Sequence, residues 1–161
     1  MTTLADQSRR LIAYNQWADE RILDAAAGLS PERFAELTDQ FAHMLGTLLF
    51  WNAKWRHRRT PIGEIIATAM APTTSMPELR IAFAQAHTQV LEFGASLTDE
   101  SWEHTEPWWT EFGIEGALSV GETITLLADH GTQHRSEIAV ITSLAGCSPG
   151  DVDYRAFRAP F

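Results

Sequence analysis

The sequence is poor in several features, and each shortage excludes a class of protein. It has one cysteine, Cys147, so no disulfide can form within the chain and an oxidising compartment is not indicated. Only 12 lysines and arginines stand against 21 acidic residues, and the net charge of −9 argues against nucleic-acid binding. Apolar runs of the roughly 20 residues that span a membrane are absent. The N-terminus lacks the layout of a signal peptide, and we therefore expect a cytoplasmic protein without membrane partners.

What the sequence does contain is the composition of an ordinary globular protein. The 161 residues, 45% of them hydrophobic, predict one domain over residues 1–161. Six tryptophans are many for this length and predict large apolar walls, either in the core or around a pocket.

Apolar residues recur every three or four positions through most of the chain, which predicts helices. Helices are predicted over about 4–27 and 31–59 (with a break near 38 and 39), after Ser75, and from a capping box of Ser119 and Glu122 to about 145. We expect a loop over 60–76 and an irregular stretch over 98–118, which contains Trp109 and Phe112. With no strand-like alternation, the pattern predicts an all-α four-helix bundle whose tail folds back onto it or onto a partner.

His130 and His134 lie four residues apart in the last helix, so they share one face and can reach one metal ion. The face that they share is predicted to be a core-facing stripe, made of Leu126, His130, His134, Ile138, Ile141 and Ala145. Two buried imidazoles need partners, and a shared metal would satisfy both in the neutral state. The alternative is that they form hydrogen bonds with carbonyls or carboxylates of neighbouring helices.

A third ligand is expected at His43 in the second helix, because Gly46 and Thr47 leave room beside its ring. His87, beside the apolar stripe of the third helix, is the best substitute for it. We expect His57 to be solvated at a helix end, and His104 to line the mouth of a pocket.

Three neutral histidines suit zinc or nickel, with iron, copper or manganese as alternatives. Such a site leaves one position open, as catalytic rather than structural zinc sites do. Asp129, Gln133 and Glu137 are candidates for hydrogen bonds to the ligands, although the first two could be solvated instead. Arg56 and Arg135 could hold an anionic group, but we expect both to be surface charges.

Three segments resemble the DinB-like family, also called DinB/YfiT-type metalloenzymes. Residues 14–19, YNQWAD, match its first-helix pattern YNxWA followed by Asn or Asp. His43, with Leu45 and then Trp51, resembles its second-helix pattern. Residues 129–137, DHGTQHRSE, with residues 150–154 behind them, are similar to its HGTxHR segment and its tail.

The resemblance implies a four-helix bundle with long crossover connections, often a homodimer, whose metal ligands fall on His43, His130 and His134. An alternative alignment through residues 46–48 puts Phe50 at the first ligand position and leaves two histidines. Characterised relatives include enzymes that use low-molecular-weight thiols, so such a thiol is an expected co-substrate.

Three functions remain open at this point. The first is a divalent-metal-dependent enzyme, a thiol-dependent S-transferase or a hydrolase acting on a small molecule, with the tryptophans walling its pocket. The second is a non-catalytic metal- or ligand-binding protein of the stress response. The third is a structural dimer in which polar neighbours satisfy the histidines.

Overall fold

The computed structural model describes residues 2–108 and 115–158, and most of these residues are helical. The helices are α1 (Leu4–Ala26), α2 (Pro31–Ala35), α3 (Thr38–Trp55), α4 (Ile62–Met70), α5 (Met76–Ser96), α6 (Val120–Leu144) and α7 (Tyr154–Arg158). Strand β1 (Thr105–Glu106) pairs antiparallel with β2 (Leu118–Ser119). Trp109 and Phe112 lie outside the described residues. Within the described ranges, none of the helices combines the length and the apolar character that crossing a bilayer requires.

The four long helices form a bundle in which α1 lies diagonally opposite α3, and α5 lies diagonally opposite α6. Helix α1 packs against α5 and α6, and α3 packs against the same two helices. The connections from α1 to α3 and from α5 to α6 therefore cross the bundle, and they carry α2 and the β1–β2 ladder respectively. The prediction of an all-α four-helix bundle with long crossover connections is confirmed.

The helix boundaries differ from the sequence prediction mainly after α3. The break expected near residues 38 and 39 separates α2 from α3, but the loop expected over 60–76 is wrong because α4 occupies residues 62–70. Ile65 and Ala69 are buried against α3, and this packing stabilises a helix of only nine residues. Pro61 and Pro72 flank α4 instead of interrupting it.

The tryptophans serve the core more than a pocket. Trp51, Trp55 and Trp102 are at most 4% exposed, and all three belong to the hydrophobic core. The expectation that the tryptophans wall a pocket is therefore wrong for these three residues. Trp108 is also only 4% exposed, but it borders a surface cleft.

Two contacts hold α6 and the tail in place. The predicted capping box is confirmed: the Ser119 hydroxyl accepts from the Glu122 amide, and the Glu122 carboxylate accepts from the Ser119 amide. The tail folds back onto α1, where Tyr154 meets the ring of Tyr14 edge-on and the Tyr14 hydroxyl donates to the carbonyl of Val152.

Candidate metal centre

The structure brings His43, His130 and His134 together between α3 and α6. One ligand nitrogen from each histidine lies within 4.8 Å of those of the other two. The Nε2 atoms of His43 and His130 are 2.9 Å apart, and the three ring centroids are separated by 4.6–5.0 Å. The i, i+4 spacing places His130 and His134 one turn apart on α6, as predicted. The alternative alignment that puts Phe50 in the cluster is not supported by this geometry.

The cluster lies at the rim of the core and not inside it. His43 is exposed, while His130 and His134 are half-buried. The predicted core-facing stripe on α6 is wrong at Leu126 and Ala145, which are both exposed. The core of α6 is made by the neighbouring face, and this rotation leaves the histidines open to solvent on one side.

The environment favours neutral rings, which metal ligation requires. Partial withdrawal from water lowers the pKa of His43, and the nearby charge of His134 lowers it further, against a smaller opposing effect of Glu137. Burial likewise lowers the pKa of His130, with further lowering from His134 and His43, against smaller opposing effects of Asp129 and Glu137.

Glu137 is the one predicted partner of the ligands that contacts a ring. Its carboxylate lies 3.1 Å from Nδ1 of His134, which donates to it. This bond leaves Nε2 of His134 with a free lone pair, which is the usual arrangement of a metal-ligating histidine. Asp129 and Gln133 are exposed on the flank of α6, as the solvated alternative for them predicts.

The residues present fit a divalent metal ion. Two histidine nitrogens bound to one tetrahedral zinc, at about 2.0–2.1 Å each, lie about 3.3 Å apart. The 2.9 Å separation of His43 and His130 is within a few tenths of an ångström of that value. Three imidazoles with no carboxylate among them suit zinc, nickel, copper or iron better than magnesium or calcium.

His87, the predicted substitute ligand, is not part of this cluster. It is 2% exposed, and its Nε2 donates to the carboxylate of Asp19 at 2.9 Å. Burial alone would raise the pKa of Asp19, but the hydrogen bond from His87 and the charge of Arg135 outweigh burial and lower it. His87 therefore has a structural partner of its own.

Arg135 lies in the core, so its prediction as a surface charge is wrong. It is 1% exposed and donates to Asp19 at 2.8 Å and to Asn15 at 2.9 Å. Its other terminal nitrogen donates to Thr132 at 3.0 Å. The sequence does contain a signal for the burial of Arg135. Asn15 and Asp19 are polar residues one turn apart on the buried face of α1, so they require a polar partner from another helix. We call these four connected side chains, Asn15, Asp19, His87 and Arg135, the buried network.

Gly131, between the two histidines of α6, makes room for the buried network. A Cβ at this position would lie 2.8 Å from Nη1 of Arg135 and 3.2 Å from the side-chain oxygen of Asn15. The two segments with family-like patterns, residues 14–19 and 129–137, thus meet through their non-ligand residues, directly beneath the histidines. A small cavity of about 10 Å³ separates His130 from this network.

An apolar groove of about 500 Å³ runs from His43 between α3 and α4. Phe50, Ile62, Ile66 and Met70 line it, together with Gly46 and Thr47 and five further residues. Ile62, Ile66 and Met70 are 42–55% exposed, which is unusual for side chains of this size on one short helix. The groove provides the space for a small molecule beside the cluster.

The remaining predicted residues lie away from the cluster. His57 is exposed at the end of α3, as expected, and His104 is exposed beside Glu106, at 3.1 Å. Arg56 is half-buried, with its guanidinium bound to Asn52 and to the carbonyl of Gln89. It is thus fixed between α3 and α5 and unavailable to the groove.

The chain matches the model of the DinB family over residues 1–160. No curated protein and no solved structure matches the chain.

Proposed function

The chain belongs to the DinB family, and from this premise we propose that it is a divalent-metal-dependent enzyme acting on a small molecule. Its ligands are His43, His130 and His134, and zinc or nickel is the metal that the donor set favours. A thiol-dependent S-transfer or a hydrolysis is the reaction. The observation that carries the proposal is the approach of three histidine nitrogens to within 4.8 Å on two helices, beside an apolar groove.

The protein residues would bind and orient the reactants. The apolar groove would hold the body of the substrate and exclude water from it. Glu137 would keep Nδ1 of His134 protonated, so that its Nε2 faces the metal. Arg135 and Asp19 would hold α6 in register with α1, which fixes the two ligands on α6. When bound, the metal would lower the pKa of a thiol or a water in its open position, so that a nucleophile is available at neutral pH.

Metal content tests the site directly. We expect about one equivalent of zinc or nickel, by elemental mass spectrometry, in protein that was purified without a nickel column. His43→Ala, His130→Ala and His134→Ala should each lose it. His104→Ala is the matched control, because it removes an exposed histidine outside the cluster and should keep the metal. Absence of metal from the wild-type protein, even after reconstitution with zinc and with nickel, would contradict the proposal.

A second candidate is a metal- or ligand-binding protein without turnover, and the exposed apolar lining of the groove favours it. The two are separated by assaying the metal-loaded protein with a panel of low-molecular-weight thiols and electrophiles. Turnover that disappears in His130→Ala supports the enzyme. Stoichiometric binding of an apolar probe without turnover of any pair in the panel supports the binding protein.

A further inference from the structure

A second surface cavity continues the apolar groove along α3. We call it the basic cleft; it has a volume of about 720 Å³ and is lined by Lys54, Arg58, Arg59, Glu106 and Trp108, among others. The groove and the cleft share Phe50, Ile62 and Ile65, so they adjoin each other. From His43 to Lys54 is eleven residues, which is about 16 Å along a helix. One elongated small molecule could therefore lie in both cavities.

The described lining of the basic cleft has a charge opposite to that of the whole protein. The chain has a net charge of −9. Yet the described residues that line the cleft include three permanent cations, Lys54, Arg58 and Arg59, and one carboxylate, Glu106. Among the described residues, the guanidinium groups of Arg58 and Arg59 form no hydrogen bond or ion pair, and both arginines are exposed. Two guanidinium groups at one end of an apolar cavity match the chemistry of an anionic group.

Backbone strain at His57 points to the same place. Helix α3 ends in a Schellman motif, in which the Arg58 amide donates to the carbonyl of Ala53 and the His57 amide to that of Lys54. His57 is in the left-handed conformation, with φ of 52°, at the position where glycine is usual. A residue with a Cβ is strained there, and such strain is found most often at functional sites. That side chain is 70% exposed and lines the cleft, 3.6 Å from Glu106.

We propose that the basic cleft binds the carboxylate or phosphate of an amphipathic small molecule whose apolar body lies in the apolar groove. Arg58 and Arg59 contact the anionic group, and His57 donates to it from the strained turn. The far end of the molecule then reaches the histidine cluster. This last point rests on the proposed function, whereas binding of the anionic group does not. The proposal thus narrows the substrate class to anions with an apolar chain.

The test is binding of decanoate, compared with decan-1-ol, to metal-free protein, so that the carboxylate cannot ligate a metal. Binding is followed by calorimetry and by tryptophan fluorescence, since Trp108 borders the cleft. We expect decanoate to bind more tightly than decan-1-ol. Arg58→Gln with Arg59→Gln should weaken decanoate binding at least about tenfold, as expected for lost hydrogen bonds to a charged group, and leave decan-1-ol unchanged.

The control is Arg33→Gln with Arg155→Gln, which makes the same change in net charge at two exposed positions outside the cleft. Equal losses in the two double variants, or equal affinity of wild type for acid and alcohol, would overturn the proposal. So would decanoate binding that depends on His43 and not on the arginines. Because this assay contains no metal, its failure is distinct from failure of the metal-content experiment.

His57 is tested separately with His57→Gly. Relief of the left-handed strain should raise the denaturation midpoint, while the lost side chain weakens decanoate binding about threefold. A more stable protein with unchanged decanoate affinity would remove His57 from the anion site.

Discussion

The chain contains two histidine-bearing clusters that lie next to each other and differ in how their polar groups are satisfied. In the buried network, His87 and Arg135 both donate to Asp19, and the charges balance inside the core. The rim cluster consists of His43, His130 and His134. Its three imidazoles face one another, and Glu137 is the acid that contacts one of them, from an exposed position. In the first cluster every charged group has a partner, and Nε of Arg135 is the one buried side-chain atom of the network without a hydrogen bond. The second cluster brings three ring nitrogens together without a cation between them.

The difference shows what separates a structural histidine from a candidate ligand. Burial is not the criterion, because the most deeply buried histidine, His87, has a carboxylate as its partner. The candidate ligands are less buried, and the polar neighbour of His43 within hydrogen-bond distance is another candidate ligand, His130. Ring nitrogens from three histidines that converge on one point are the arrangement that a divalent cation completes, once each ligand nitrogen is deprotonated.

The largest expected effect is on the buried network, through Asp19→Ala. Removal of this carboxylate leaves the guanidinium of Arg135 buried without its charge partner, and His87 without its acceptor. We expect the free energy of unfolding to fall by about 3–5 kcal/mol, measured by urea denaturation of the metal-free protein.

Asp24→Ala is the matched control, because it removes a carboxylate from the same helix. Asp24 pairs with Arg80 at 2.7 Å, and both side chains are substantially exposed. The expected loss is below about 1 kcal/mol. Similar losses for the two variants would contradict the view that the buried network holds the bundle together.

A smaller effect is expected where the two clusters touch, through Gly131→Ala. The new Cβ would stand 2.8 Å from Nη1 of Arg135, which cannot move away without breaking its bonds to Asn15 and Asp19. We expect a loss of about 1–3 kcal/mol in urea denaturation, in spite of the better helix propensity of alanine.

Gly63→Ala in α4 gives the comparison, since a Cβ there meets open space. It should leave the stability unchanged or raise it by up to about 1 kcal/mol. A stabilised Gly131→Ala would mean that Arg135 is less firmly fixed than its four hydrogen bonds to Asn15, Asp19, Ala128 and Thr132 indicate.

The smallest effect is the pH dependence of the rim cluster without metal. The pKa values of His43 and His130 are lowered in the folded state from 6.5, so between the folded and the unfolded pKa the unfolded chain binds more protons. This contribution to stability is present above pH 6.5 and is lost as the pH falls through the folded pKa. Denaturation in EDTA at a series of pH values measures it, and His130→Ala should show a shallower slope than wild type. An equal or steeper slope in His130→Ala would contradict it.

The sequence located the rim cluster because its signal is local. His130 and His134 stand at i, i+4 on one helix, and small residues follow His43 at i+3 and i+4. The four long helices could likewise be predicted, because each presents an apolar stripe over many turns. Helix α4 was missed because nine residues between prolines carry too short a periodic signal, and its stability comes from packing on α3.

The buried network could not be predicted because its bonds join distant parts of the chain. Arg135 follows the candidate ligand His134 and has polar and charged neighbours in the sequence. An arginine on the surface of a helix has the same kind of sequence neighbours. Its burial depends on Asn15 and Asp19, which reach it only once α1 and α6 are packed together. The apolar groove was hidden for the same reason, since α4 forms one of its walls.

The pairing of α1 with α6 also has a consequence during synthesis. Asp19 and Arg135 are 116 residues apart. At a synthesis rate of about 5–20 residues per second, Asp19 is therefore made roughly 6–23 s before Arg135. Through that interval Asp19 has at most one of its two partners, His87, and burial of its carboxylate without the guanidinium is costly. The nascent chain should therefore stay incompletely packed until α6 has been made, and the ion pair should form only in the complete bundle.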